Sequence, residues 1–419
     1  ESRTVESRTV ESRTVANNKS QEEREEARTT SARTRAPSGA GRSRVVQARQ
    51  RSDPPVGAGR PWSLLRGRRV VVVRVLIGSH RLFEAHDTGP GHPEHARRLV
   101  AVREAIADIA ERCEIVPFSP RAVTPAELGL VHPPAYRSSV EAACARGGSL
   151  DPDTVVSPAS FEAALHAAGA GIEAAERLRA GEAESAFLAL RPPGHHALAE
   201  RAMGFCLFNN VAITASQLAR RGERVAILDW DAHHGNGTET IFYERSDVLY
   251  LSLHQYPFYP GSGKVTDLGA GAGLGKTVNL PLPAGSAGDV YRAGFDAVIE
   301  PVIAAFSPDW LLVSAGFDGH RDDPLTDLGL SAGDFADLSE RAVGLARPGR
   351  LIVFLEGGYD MTALRHSVAA TVASLAGERY LPEGRTSGGW KELSSRGGAR
   401  HVVEEARRRL SELGALKEP

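Results

Sequence analysis

The sequence predicts an α/β fold: a mostly parallel sheet covered by helices on both faces. Three observations carry that expectation. After Arg69, short apolar runs alternate with longer helical stretches, the pattern of repeated βαβ units. The runs are continuously apolar rather than alternating, as strands buried on both faces must be. The chain is also long enough, at 419 residues and 42% hydrophobic, to bury one large core.

Taken in order, the expected strands are "RVVVVRVLIG" (69–78), "SAFLALR" (185–191), "RVAILDW" (224–230), "DVLYLSL" (247–253), "DWLLVSAG" (309–316) and "RLIVFLEGG" (350–358). Helices are expected near 94–112, 158–180, 209–221, 289–306, 331–347 and 361–376. In the first of these, Leu99, Val102, Ile106 and Ile109 recur at helical spacing. Residues 391–415 read as a charged terminal helix. One domain is therefore expected over about 68–380, followed by a tail at 381–419. The chain opens with "ESRTV" three times over. Residues 20–60 then carry nine Arg, five acidic residues and almost nothing large and apolar. Residues 1–66 read as a disordered, low-complexity extension. Glu22, Glu23, Glu25 and Glu26 argue against a transit peptide, which avoids acids.

Composition narrows the function. With 50 Lys+Arg against 52 Asp+Glu, no global field points to nucleic acid or a membrane surface. Cys113, Cys144 and Cys206 lie far apart without CxxC spacing. That excludes a disulfide framework and a Cys-ligated zinc knuckle, and it fits a reducing compartment, the cytoplasm. No run approaches the ~20 apolar residues of a membrane span.

Four strands end in residues that a core would not choose. After 185–191 comes "PPGHHA", with His195 and His196. After 224–230 comes "DAHHGNG", after 309–316 comes Phe317-Asp318-Gly319-His320, and after 350–355 comes Glu356-Gly357-Gly358-Tyr359. Ligands of open parallel sheets bind outside the carboxyl ends of the strands, so these clusters are expected to meet in one crevice. Asp229, Asp231 and His233 stand two residues apart, which turns an extended segment's side chains to one side. Carboxylates crowded in this way repel unless a cation joins them. Asp231, His233 and Asp318 would make an O/N/O set suited to zinc or iron(II), with a position left open. His195 and His196 suit a general base and general acid, each ring held by one of Asp229 and Asn236. Adjacent histidines can also bind metal, and that reading stays open. Tyr359, after two glycines, suits a hydroxyl donor on a mobile hinge or an ordinary rim tyrosine. The set as a whole reads as metal-assisted hydrolysis with no serine or cysteine nucleophile.

The motifs "GHPEHARRL", "RPPGHHA", "GFCLFNNVA", "ILDWDAHHGNGT", "LSLHQYPFYPGSG", "VSAGFDGHRDDPL" and "LEGGYD" resemble the zinc-dependent histone deacetylase superfamily. The likeness is to its class II-like and bacterial amidohydrolase branch, with acetylpolyamine deacetylases and acetoin-utilisation proteins. It covers roughly 75–380. The resemblance implies an arginase/deacetylase-like three-layer α/β/α sandwich around an eight-stranded, mostly parallel sheet. It implies Zn2+ (or Fe2+) on Asp231, His233 and Asp318, with His195 as main base backed by Asp229, and with His196 and Tyr359. Many members have Asp where this chain has Asn236, so His196 is expected to have a lower pKa here. The family's structural K+ maps onto Asp229, Asp231, His233, Ser252 and Leu253. Its substrate tunnel maps onto Gly204, Phe205 and Tyr259. Leu325 stands where polyamine-selective eukaryotic members carry a glutamate, and Asp151 and Asp153 are rim candidates. His234 is left with a structural task.

The implied function is removal of acetyl groups from N-acetyl-lysine side chains of proteins or peptides. Small acetylated amines of the acetylpolyamine type are the first alternative substrate. A non-catalytic module that grips acetylated ligands is the alternative from another class. A ureohydrolase shares the fold, but its two-metal site needs carboxylates that "DAHHG" lacks.

Overall fold

The computed structural model describes residues 73–389 and 398–416. The expected extension at 1–66 and the first residues of the run at 69–78 lie outside them. Eight strands form one sheet: β1 (Arg74–Gly78), β2 (Glu114–Phe118), β3 (Ser185–Leu188), β4 (Val225–Asp229), β5 (Val248–Gln255), β6 (Thr277–Leu282), β7 (Trp310–Ala315) and β8 (Leu351–Leu355). Their spatial order is β2-β1-β3-β8-β7-β4-β5-β6, and every pairing is parallel. Strands β3, β8, β7 and β4 are thus contiguous. These are the four strands whose polar ends stand out in the sequence.

The sheet has two strands that the apolar runs do not announce, β2 and β6, and they are its two edges. Each contains a proline, Pro117 or Pro281. Proline removes a ladder donor and is tolerated at an edge, so the residue that hides these strands also fits their place. The β6 edge is covered by the terminal helix, Ala399–Glu412. Its Val402, Val403, Ala406 and Leu410 join the same core as the sheet. This helix is therefore part of the main hydrophobic core.

The helices form the two outer layers of the α/β/α sandwich. Met361–Leu375 packs against both Arg97–Ile109 and Ala332–Leu345, and Ser160–Arg179 packs against Asn210–Ala219. The stretch expected to be helical at 289–306 is helical from Gly288 to Phe306, with a π-turn at Phe295–Ile299. A further helix, Pro134–Arg146, is not among those expected. It buries Tyr136, Val140 and Cys144, four residues apart. A two-stranded antiparallel pair, Gly148–Ser149 with Val155–Val156, carries Asp151 and Asp153 on its turn. Asp151 Oδ1 accepts from the N–H groups of Asp153 and Thr154, so the turn alone accounts for part of its polarity.

Candidate active site

Because β3, β8, β7 and β4 lie side by side and point the same way, the loops after them open on one pocket of about 180 Å³. His195, His196, Gly204, Phe205, Asp231, His233, Tyr259, Leu325 and Tyr359 all line it. So do Asp153, Pro193, Phe258 and Gly357.

Two of the lining residues, Asp231 and His233, together with buried Asp318 each offer one ligand atom, all within 4.8 Å of one another. Each carboxylate is aimed by backbone from another strand end. Gly357 N–H donates to Asp231 Oδ2 (2.8 Å), and Ala232 N–H donates to Asp318 Oδ1 (2.9 Å). Glycine at 357 is required by this approach, since a Cβ there would stand 2.2 Å from Asp318 Oδ2 and 2.7 Å from Asp231 Oδ2. His233 Nδ1 faces both acids, at 3.2 Å from Asp231 Oδ1 and 3.0 Å from Asp318 Oδ2. Burial alone would lower this imidazole, but its bonds to the two carboxylates outweigh that and push it up to about 10. Asp318 is raised by burial and by the charge of Asp231. The cluster thus draws positive charge into its centre. Two carboxylate oxygens and one imidazole nitrogen in a buried site fit a divalent cation of the zinc or iron(II) kind.

The histidine pair stands next to this cluster. Asp229 Oδ2 accepts from His195 Nδ1 (3.0 Å), and Asn236 Oδ1 accepts from His196 Nδ1 (2.8 Å). Both rings are therefore fixed through Nδ1, which leaves Nε2 as the working nitrogen. His195 Nε2 lies 3.9 Å from Asp231 Oδ1. Burial would lower His195, but Asp229, Asp231 and Glu356 outweigh it and push it up to about 10. His196 is held well below its usual value by burial, His195 and His233, with only an amide as partner. The lowering comes from burial and the neighbouring rings, while the Asn236 hydrogen bond itself acts in the raising sense. The surrounding carboxylates thus favour a proton on His195 over one on His196.

Tyr359 is partly buried. Its N–H donates to Asp323 Oδ2 (2.7 Å), its ring meets Phe205 edge-on at 6.0 Å, and the Arg98 guanidinium lies 5.1 Å from its centroid. The residue expected on a mobile hinge is held from three sides. Phe205 adopts φ +69, a strained conformation for a non-glycine residue. Gly204 before it has φ +57, and a Cβ there would stand 2.5 Å from His196 Cδ2. Tyr259 meets His196 at 5.3 Å from the other direction. Of the residues expected to hold potassium, Asp229 and Ser252 are register partners on β4 and β5, and Leu253 follows in β5. Ser252 Oγ is hydrogen-bonded to His254 Nδ1 (2.8 Å). His234 spends both ring nitrogens on Ser262 Oγ (2.8 Å) and Glu239 Oε2 (3.2 Å), consistent with a structural task.

Three supporting features are not apparent from the motif reading. Buried Glu356 bridges strand ends: its Oε2 accepts from Gly194 N–H (2.7 Å) and His195 N–H (3.2 Å), and its Oε1 from Ser314 Oγ (3.1 Å). Burial pushes its carboxyl up to about 7. Tyr250 OH donates to Asp229 Oδ2 (3.3 Å), beside the His195 bond. Behind Tyr359, Glu94 holds two fully buried arginines, Arg98 at 3.0 Å and Arg191 at 2.6 Å. Arg98 in turn donates to the carbonyls of Gly358 (2.8 Å) and Glu356.

Comparison with known proteins agrees with this geometry. The family model described as "Histone deacetylase domain" matches residues 92–375. A "Probable deacetylase" of Archaeoglobus fulgidus is 41% identical over 73% of this chain and 89% of that protein. A "Histone deacetylase-like amidohydrolase" of Pseudomonas aeruginosa is 39% identical over 68% of this chain and 77% of that protein. Among solved structures, the HDA15 HD domain superimposes with a TM-score of 0.72 at 31% identity, covering 81% of this chain and 96% of that one. The chain belongs to the histone deacetylase family.

Proposed function

We propose that this protein hydrolyses the acetyl amide of N-acetyl-lysine side chains in proteins or peptides, with a divalent metal ion on Asp231, His233 and Asp318. One observation carries the reading. Asp231, His233, both fixed imidazoles and Tyr359 line a single pocket with Phe205 and Tyr259, and Asp318 offers its ligand atom within 4.8 Å of those of Asp231 and His233. A zinc ion, or iron(II), bound there supplies Lewis acidity and positive charge that offsets the carboxylates raising His195.

The chain's own groups do the rest. Phe205, Tyr259, Gly204 and Leu325 wall a slot that accepts a methylene chain and excludes water around the amide. With Nδ1–H tied to Asp229, His195 accepts the attacking water's proton at Nε2, and Asp229 stabilises the imidazolium that forms. His196, tied to Asn236, completes the pair that returns a proton to the leaving amine. Proton transfer of this kind contributes ~10²–10⁴ in rate. The Tyr359 hydroxyl donates to the oxygen that gains charge as the tetrahedral centre forms. Asp229, Asp231, His233, Ser252 and Leu253 would hold a structural potassium ion, a reading supported by the pairing of Asp229 with Ser252.

Asp153 in the pocket lining is the feature that suits a small acetylated amine, whereas Leu325 offers such a cation nothing. A competition between acetyl-lysine peptides and acetylated polyamines decides, read as kcat/KM. The peptide should win, and a higher value for the polyamine would overturn the substrate assignment. A cytoplasmic setting is supported by three cysteines that are free and buried. Among the described residues no helix is long and apolar enough to cross a membrane.

A further inference from the structure

Arg201, three residues before Gly204 of the pocket wall, is without a use in the chemistry above. Its backbone is fixed, because Leu198 N–H donates to Arg201 O (2.9 Å) in a short antiparallel bridge, and Met203–Cys206 forms a second bridge directly after it. Its side chain is exposed, and Nη2 reaches Met203 Sδ (3.4 Å). The same sulfur accepts from Asn236 Nδ2 (3.3 Å), the amide that holds His196. Arg201 therefore stands over the segment that leads into Gly204 and Phe205. Among the described residues no carboxylate lies within ion-pair distance of it, neighbouring Glu200 included. The Tyr259 phenol is raised mainly by burial, but also by Asp153 and Asp151, while Arg201 acts on it in the opposite sense. Arg201 is thus a cation on the segment leading into the pocket wall, and no described carboxylate pairs with it.

We infer that Arg201 is a specificity residue that anchors a carboxylate on the substrate beside the acetylated lysine. A planar guanidinium on a bridged backbone, exposed and paired with no described carboxylate, is the group best suited to take a carboxylate in a two-pronged hydrogen bond. A polyamine carries only cations, which Arg201 repels. A peptide with an acidic residue next to acetyl-lysine satisfies it. The inference rests on the deacetylase reading and narrows its substrate to peptides or proteins with an acidic neighbour.

The test is a set of acetyl-lysine peptides in which each of the two positions on either side of the acetyl-lysine is Glu or its uncharged isostere Gln. Acetate release is measured with metal-loaded wild type, Arg201→Gln and Arg201→Glu. The Glu:Gln ratio of kcat/KM is taken within each variant, so a general loss of activity cancels. At low salt the wild type should prefer Glu at one position by about two- to fivefold, the scale of an exposed ion pair. The preference should vanish in Arg201→Gln, reverse in Arg201→Glu, and shrink in the wild type at high salt. A Glu preference equal in wild type and Arg201→Gln, or absent at every position, overturns the inference while leaving the deacetylase reading intact. No turnover of any peptide by the metal-loaded wild type overturns both.

Discussion

Replacing Glu94 with Gln removes one negative charge from the middle of the molecule at nearly constant volume. Glu94 Oε1 accepts from Arg191 Nε (2.6 Å) and Arg98 Nη1 (3.0 Å), and Oε2 accepts from Arg191 Nη2 (2.8 Å). All three side chains are fully buried, so the variant leaves two guanidiniums inside with no counter-charge. Removing one partner of such a group costs about 3–5 kcal/mol, a large part of the about 5–15 kcal/mol that holds a domain folded. An exposed pair offers a control. Arg365 is bidentate to Asp108 at 2.7 Å on both arms but is 39% exposed, so Arg365→Gln should leave the stability nearly unchanged. Urea unfolding is the assay, with stability compared at unchanged slope. The pH dependence has a definite sign. Burial would raise the Glu94 carboxyl, but Arg191 and Arg98 outweigh it and hold it well below its ordinary 4.5. The stability it contributes is therefore present above about pH 4.5 and is lost as pH falls. Glu94→Gln should be unstable at neutral pH and lose less than the wild type on acidification. A variant within about 1 kcal/mol of wild type at pH 7 would refute the argument that this triad holds the Tyr359 loop from behind.

Three further outcomes follow from the pocket. Gly357→Ala places a Cβ against both metal-facing carboxylates, so the folded protein should lose zinc binding, read as metal per chain after loading. His195→Ala should keep the metal and lose about 10²–10⁴ in kcat; loss of the metal as well would make His195 a ligand, the reading left open by the sequence. Tyr359→Phe should lower kcat by about 10²–10³ with little change in KM, and full activity would remove the oxyanion role.

The candidate site is legible in the sequence because it breaks the pattern around it. Asp231, His233, Asp318, the histidine pair and Tyr359 all follow apolar runs, and a core gains nothing from charge placed at the ends of its buried strands. Their convergence requires only that β3, β8, β7 and β4 be neighbours, which they are. The edges are illegible for the opposite reason. Pro117 in β2, and Asn279 with Pro281 in β6, interrupt the apolar signal. The Glu94–Arg98 pair enters the sequence reading only as part of the motif "GHPEHARRL". Only the position of Arg191, a hundred residues on, makes it a buried triad. Phe205 and Leu325 carry no chemical signature of their own. Resemblance alone marks them as a tunnel wall, and the pocket lining contains both.

The central claim, that Asp231, His233 and Asp318 hold a metal with which this pocket cleaves an acetyl amide, is tested most directly by acetate release from an acetyl-lysine peptide. Purified protein stripped with chelator is assayed before and after stoichiometric zinc or iron(II), beside Asp318→Ala treated in the same way. The account predicts no release from the stripped protein, recovery with one metal ion per chain, and neither metal uptake nor activity in Asp318→Ala. Acetate release that persists in the stripped protein, or that Asp318→Ala retains, would contradict it.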